Sequence, residues 1–235
     1  MEEFVYSQNK GIISLLEIRV IDRKYELEKR LPILDLPTHL SFPNIWRENG
    51  KIYVYPENWH SGGLNLYELD IENARLVNPV KIVDVPLVDS SIFKYDGKYY
   101  VIGTRRQSNP FEDMKSADIY VADSLQGPYV HFQSIQNSRR IERGAGEIYN
   151  EKEGLVRPVQ KCDRDYGEAV YLNKLYYKDG SFEESFIKSI EPDKKHPFGQ
   201  CLHTFNKMNG ICVIDGKLYK RPVAARIVKA ILRVL

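Results

Sequence analysis

The 235-residue sequence predicts an all-β fold whose strands are arranged radially, as in a β-propeller, and three observations carry that expectation. Tyrosine and valine dominate short apolar runs that alternate with Gly, Asn and Asp turns, the composition of strands and hairpins. Helical periodicity is nearly absent before residue 222. A strand–turn–strand unit recurs: Ile45–Val54 (IWRENGKIYV) matches Ile92–Val101 (IFKYDGKYYV), and both match Ile211–Tyr219 (ICVIDGKLY). Asn-Gly or Asp-Gly in each unit supplies the positive φ of a tight hairpin turn, and the flanking β-branched and aromatic residues pair across it. Weaker copies at Glu153-Gly154 and Asp179-Gly180 bring the count to four to five blades, spaced by roughly 25 to 60 residues.

Taken in order, Gly11–Val20 (GIISLLEIRV) reads as an opening strand that closes the structure by pairing with a late one. No Pro/Ser/Gly-rich linker divides the chain, so residues 1–222 are expected to form a single propeller domain. Pro222 is followed by VAARIVKAILRVL, where Arg226, Lys229 and Arg233 recur at helical spacing. Residues 223–235 are therefore expected to form a short amphipathic helix. It either packs against the domain or lies on an anionic membrane surface as a peripheral contact.

A composition of 43% hydrophobic and 28% charged residues supports a real core, and a net charge of +2 gives no electrostatic case for nucleic acid. Cys162, Cys201 and Cys212 lack CxxC spacing, which argues against a disulfide framework or a structural zinc site. No cofactor and no metal are expected. The acidic, polar start MEEFVYSQNK does not read as a signal peptide, and no apolar window reaches membrane-spanning length, so a cytoplasmic setting is the simplest expectation.

Three stretches resemble the five-bladed propeller glycosidases, including glycoside hydrolase family 43: His39–Pro43 (HLSFP), Asp89–Phe93 (DSSIF) and Ala122–Tyr129 (ADSLQGPY). Within that superfamily, Ala145-Gly146, Arg157–Cys162 (RPVQKC), Tyr166-Gly167 and His203–Asn206 (HTFN) followed by Gly210 resemble the propeller domain at the N-terminus of plant glucosamine inositolphosphorylceramide transferase, which bacterial proteins also carry. The resemblance covers about residues 38 to 222 and implies five blades and a carbohydrate ligand. It further implies glycoside hydrolase-like or glycosyl-transfer chemistry, or else a non-catalytic glycan-binding domain that partners a glycosyltransferase in polysaccharide or glycolipid assembly. Family 43 enzymes are expected to place an aspartate base before a proline on the first blade, a second aspartate on the next and a glutamate acid on the third. Here Phe42 occupies the first position and Asp89 the second. At the third the pattern falls nearer Ala145, with Glu147 the closest carboxylate.

The stretch Arg157–Gly167 (RPVQKCDRDYG) offers guanidinium, amide, carboxylate and phenol groups in eleven residues, the chemistry of a pocket for a polyhydroxylated or anionic ligand. Ligands of propellers sit where inner strands converge, so distant residues meet there. Asp89, with Glu57 or Glu147 as a second carboxyl, forms the candidate catalytic set. His39, Trp59, Arg139 (or Arg143 beside it), Arg157, Gln160, Tyr166 and His203 are the candidate ligand contacts. Each has a structural alternative: Asp89 as a turn cap, Arg157 paired with Asp163 or Asp165, both histidines in the core, and Trp59 packed between blades.

Overall fold

The computed structural model describes residues 1–22, 24–105, 116–136, 143–152, 154–162 and 166–218. Its strands are antiparallel and run through the sheets in sequence order. The first sheet holds β1 (Glu2–Val5), β2 (Lys10–Ile21) and β3 (Lys24–Leu34). A second holds β4 (Ser41–Glu48), β5 (Lys51–Glu57), β6 (Leu64–Asp70) and β7 (Arg75–Val83), and a third β8 (Leu87–Tyr95), β9 (Lys98–Arg105), β10 (Ser116–Ala122) and β11 (Val130–Gln136). The fourth contains β12 (Tyr149–Glu151), β13 (Gly154–Lys161), β14 (Ala169–Lys178) and β15 (Ser181–Ile190); β16 (Phe205–Met208) and β17 (Ile211–Ile214) form a hairpin.

The Asx-Gly pairs do what their chemistry predicts at three places. Asn49-Gly50 (φ 52° and 75°), Asp96-Gly97 (47° and 76°) and Asp179-Gly180 (49° and 87°) all put both central residues in the left-handed region. That is the turn whose twist matches the paired strands, and it joins β4 to β5, β8 to β9 and β14 to β15. The third sequence unit is different. The hairpin turn there is Asn209-Gly210 (φ 50° and 79°), and Asp215 instead turns back on the chain, accepting the backbone N–H groups of His203 and Thr204.

Two expectations are corrected here. Four sheets of three or four strands stand among the described residues where five blades were expected, because the last unit supplies only the two-stranded hairpin. Gly11–Val20 does not close the fold on a late strand, because it lies in β2 between β1 and β3, with Ile13 opposite both Glu2 and Leu34. The only helical turn among the described residues is the 3₁₀ turn Trp59–Ser61, and no described helix is long and apolar enough to cross a membrane. The helix expected over 223–235 falls outside the described residues.

The core lies in the seams between successive sheets, as a radial arrangement requires. Ile13, Ile33 and Leu40 fill the first seam with Leu69 and Leu76 against them; Tyr55, Leu66, Ile82, Ile92, Val101 and Tyr120 fill the second. An aromatic cluster of Phe93, Tyr100 and Phe182 with Ile119 and Leu175 fills the third, and Val156, Val170, Leu202 and Phe205 the fourth. Hydrogen bonds also tie one inner strand to the next. Asn44 Nδ2 donates to the Ser90 carbonyl at 2.8 Å, Ser91 Oγ to the Gly146 carbonyl at 2.8 Å, and Glu147 N to Asn206 Oδ1 at 2.9 Å.

Candidate functional site

The inner strands β4 and β8 carry the same defect at the same place. Pairing between β4 and β5 slips between Ser41 and Asn44, and pairing between β8 and β9 slips between Val88 and Ser91. The slipped segments hold Phe42 at φ 41° and Asp89 at φ 50°, both in the left-handed region that non-glycine residues rarely occupy. Phe42 and Asp89 are thus structural equivalents on neighbouring sheets, and a phenyl ring stands on one where a carboxylate stands on the other. Such bulges re-aim a side chain, and strain of this kind is retained where surrounding contacts over-determine it.

Those contacts are specific. Asp89 N donates to Glu57 Oε2 at 3.0 Å, so the last residue of β5 holds the strained backbone. The Asp89 carboxylate accepts from Arg143 Nε in a short ion pair and from Gln160 Nε2 at 3.2 Å. Gln160 also donates to the Gly144 carbonyl at 2.8 Å, and its backbone N donates to the Arg143 carbonyl at 2.9 Å, which fixes the arginine's segment against β13. Only glycine fits at 144, since a Cβ there would stand 2.3 Å from the Asp89 carbonyl oxygen. The Arg143 guanidinium lies 5.6 Å from the centre of the Tyr166 ring, which is half exposed.

Electrostatics follow from this burial. Glu57 and Asp89 are 9% and 4% exposed. Loss of water and the neighbouring Asp89 charge push the Glu57 carboxyl up to about 7, against the pull of its bond from Asp89 N and of Arg143. Burial opposes charge on Arg143, but Asp89 outweighs it and holds the guanidinium above its ordinary value. Burial likewise raises the Tyr166 phenol, with Arg143 pulling the other way. The arrangement is a buried carboxyl pair of which one member is clamped by a cation and an amide.

The remaining predicted residues divide. Arg157 is placed away from the carboxyl pair: its side chain is 3% exposed and its Nη1 is 2.6 Å from Glu184 Oε1, in a buried ion pair across the fourth sheet. Trp59 lies in the 3₁₀ turn with its ring stacked on His60 at 3.6 Å. Glu147 is half-buried, which raises its pKa, with Arg47 opposing. His39 Nδ1 accepts from Gly11 N at 2.7 Å, and its Nε2 faces Glu2 at 3.8 Å. His203 Nδ1 makes a short contact with Asp215 Oδ2. Burial favours the neutral His203 ring, but its bonds to Asp215 and Cys201 win and push it up to about 10. Arg139 falls outside the described residues; of the two arginines weighed, Arg143 is the one seen on Asp89. A groove of about 670 Å³ lined by Asn150, Lys174, Ile187 and Lys207 runs along the fourth sheet and shares no residue with the carboxyl pair.

Sequence reasoning passed over Asp215 because Asp-Gly-Lys recurs there as it does at Asp96 and reads as a turn. Nothing local distinguishes them. The difference is the partner, His203, twelve residues away.

A family model described as the N-terminal part of glucosamine inositolphosphorylceramide transferase 1 matches residues 21–196. The chain belongs to that family. Relatives named glucosamine inositolphosphorylceramide transferase 1 are 31% identical over 153 residues in Arabidopsis thaliana and 27% identical over 146 in Oryza sativa subsp. japonica. Each alignment takes in 60% of this chain but only 19% and 20% of the relative, so the chain spans about a fifth of their length. Two solved structures share the fold: a thermostable family-43 glycoside hydrolase (TM-score 0.56, 15% identity, 78% of this chain and 69% of that one) and the Cellvibrio cellulosa α-L-arabinanase complexed with arabinohexaose (TM-score 0.57, 15% identity, 77% and 70%). Likeness at that identity concerns the fold. Glu57, Asp89, Arg143, Gln160 and Tyr166 all fall inside the glucosamine inositolphosphorylceramide transferase N-terminal match, whereas Cys201, His203 and Asp215 lie beyond it.

Proposed function

We propose that this chain is a carbohydrate-binding propeller domain that serves a glycosyl-transfer activity in cell-surface polysaccharide or glycolipid assembly. The observation that carries this reading is the clamp on Asp89: a buried carboxylate held by Arg143 and Gln160 beside a half-exposed tyrosine, with Phe42 on the equivalent bulge. Carboxylate, guanidinium and amide groups recognise sugar hydroxyls directionally, and a tyrosine face packs on a sugar ring. Hydrolysis by two carboxyls needs an acid and a base free to move protons. Phe42 can do neither, and the Asp89 oxygen that faces Arg143 is already engaged. The names of the relatives support the glycolipid setting, with a glycosyltransferase as partner. In this reading the protein works in the cytoplasm at the inner membrane face, with residues 223–235 as its membrane contact.

One observation favours a second reading, a glycoside hydrolase-like enzyme. Glu57, its pKa raised to about 7 beside Asp89, is tuned as a general acid near neutral pH.

A thermal-shift screen against glycans and nucleotide sugars tests the shared premise, with each variant compared to its own ligand-free baseline. A ligand at a hundred times its Kd stabilises the wild type by about 2.7 kcal/mol. That gain is expected to vanish in Asp89→Asn and in Arg143→Lys. A ligand whose stabilisation persists in both variants removes the carboxyl pair as its site. Release of sugar from a hit, abolished by Glu57→Gln, decides for the second reading over the first.

A further inference from the structure

One ring away from the Asp89 clamp lies a cluster that the carbohydrate reading does not use. We infer that Cys201, His203 and Asp215 bind one divalent cation of borderline softness, for which Zn²⁺ is the best chemical fit. This inference rests on no part of the carbohydrate reading.

The donor set comes first. Among the described residues, a thiol sulfur, an imidazole nitrogen and a carboxylate oxygen converge so that all three atoms lie within 4.8 Å of one another. Donors around a tetrahedral zinc stand roughly 3 to 4 Å apart, given bonds of about 2.0 to 2.3 Å. Mixed S, N and O donors suit zinc and its neighbours; calcium and magnesium take oxygen ligands and are excluded by the thiol and the imidazole.

Pre-organisation is the second argument. Asp215 is not a loose surface carboxylate: its Oδ1 accepts from His203 N at 2.8 Å and Thr204 N at 2.7 Å, which leaves Oδ2 directed at the His203 ring. The Tyr166-Gly167 turn supports the other two. Leu202 N donates to the Gly167 carbonyl at 3.1 Å, and Gly167 sits at φ 65°. A Cβ at 167 would stand 2.6 Å from the His203 Cβ and 2.7 Å from Cys201 Sγ, so the absence of a side chain there lets the cysteine and histidine converge. Holding three donors in place before the ion arrives removes much of the ordering cost of binding it, and the ion replaces the proton that His203 otherwise shares with Asp215.

Access is the third. The side chains of His203 and Asp215 are 32% and 30% exposed, while Cys201 is buried at 6%, so an ion has a route in and a shielded sulfur to meet. Three protein ligands leave one tetrahedral position for water or for a ligand atom, the pattern of zinc sites that act on something. The Tyr166 ring lies 5.5 Å from the His203 ring and its centre 5.6 Å from the Arg143 guanidinium, so Tyr166 is common to the cluster and the clamp.

Cobalt substitution reads the site directly. Chelator-treated full-length protein is titrated with Zn²⁺ by calorimetry and with Co²⁺ by absorption. One equivalent of each is expected, with Co²⁺ giving the visible bands of a tetrahedral ion and a near-ultraviolet thiolate-to-cobalt charge-transfer band. Cys201→Ser should abolish the charge-transfer band and weaken binding by about a hundredfold or more, while Cys162→Ser and Cys212→Ser retain both. Differential alkylation of the wild type needs no variant: Zn²⁺ should protect Cys201 and leave Cys212 reactive. A cluster held together by hydrogen bonds alone would bind neither ion stoichiometrically and leave Cys201 alkylation unchanged by Zn²⁺. Either that result or a charge-transfer band that survives Cys201→Ser overturns the inference.

Discussion

Replacing Arg157 with methionine is expected to destabilise the fold by about 3–5 kcal/mol, although the residue touches neither carboxyl of the candidate site. The guanidinium and the Glu184 carboxylate are 3% and 5% exposed, and Asn173 Nδ2 adds a second bond to Glu184 at 2.8 Å. Removing the cation leaves that carboxylate buried with one neutral donor, so the cost is mainly the desolvation of an unpaired charge. For a chain of this size the melting temperature should fall by about 2–4 °C per kcal/mol, or roughly 6 to 20 °C in all. Glu184→Gln in the same background removes the stranded charge and should recover much of the loss. Binding of any sugar found in the screen should be unchanged in Arg157→Met well below its melting point. A melting temperature within a degree or two of wild type would show that the pair contributes little, and a selective loss of sugar binding would restore Arg157 to the site.

The contrast between Arg157 and Arg143 shows where sequence reasoning stops. Both stand in polar stretches of the sequence, and a pocket floor at Arg157–Gly167 is a reasonable expectation from chemical density alone. Gln160 and Tyr166 from that stretch do sit around the Asp89 clamp, because they lie on the end of β13 and the turn after it. Arg157, three residues before Gln160 on β13, meets Glu184 on β15 instead. The Asx-Gly turns were legible because their physics is local: a positive φ at two adjacent residues. The Glu57 contact with Asp89 spans 32 residues and depends on a bulge in β8 and the end of β5, neither of which has a local signature. Asp89 itself was found through its motif, and the equivalence of Phe42 to it became geometric only with the paired slips in strand register. Asp215 shows the converse failure, since an Asp-Gly-Lys identical to a true hairpin turn is diverted by a histidine that sequence places elsewhere.

Glu57→Gln is expected to stabilise the protein at pH 8 and to do almost nothing near pH 4.5, and the sign follows from proton linkage. The folded state holds the Glu57 proton up to about pH 7, whereas the unfolded chain releases it near 4.5. Between those values the native state binds more protons than the unfolded state, so stability falls as pH rises. Above about pH 7 both states are ionised and the penalty is constant, on the order of 3 kcal/mol at its fullest. Glutamine keeps an oxygen to accept the bond from Asp89 N but carries no charge to bury beside the Asp89 carboxylate. The difference in unfolding free energy between variant and wild type, measured in urea at half-unit steps, should therefore grow from pH 4.5 to 7 and then level off. Two parallel pH profiles would mean that Glu57 ionises as freely in the fold as in the open chain. In that case the tuned acid of the hydrolytic reading disappears, and the non-catalytic clamp remains the only use the site has for its second carboxyl.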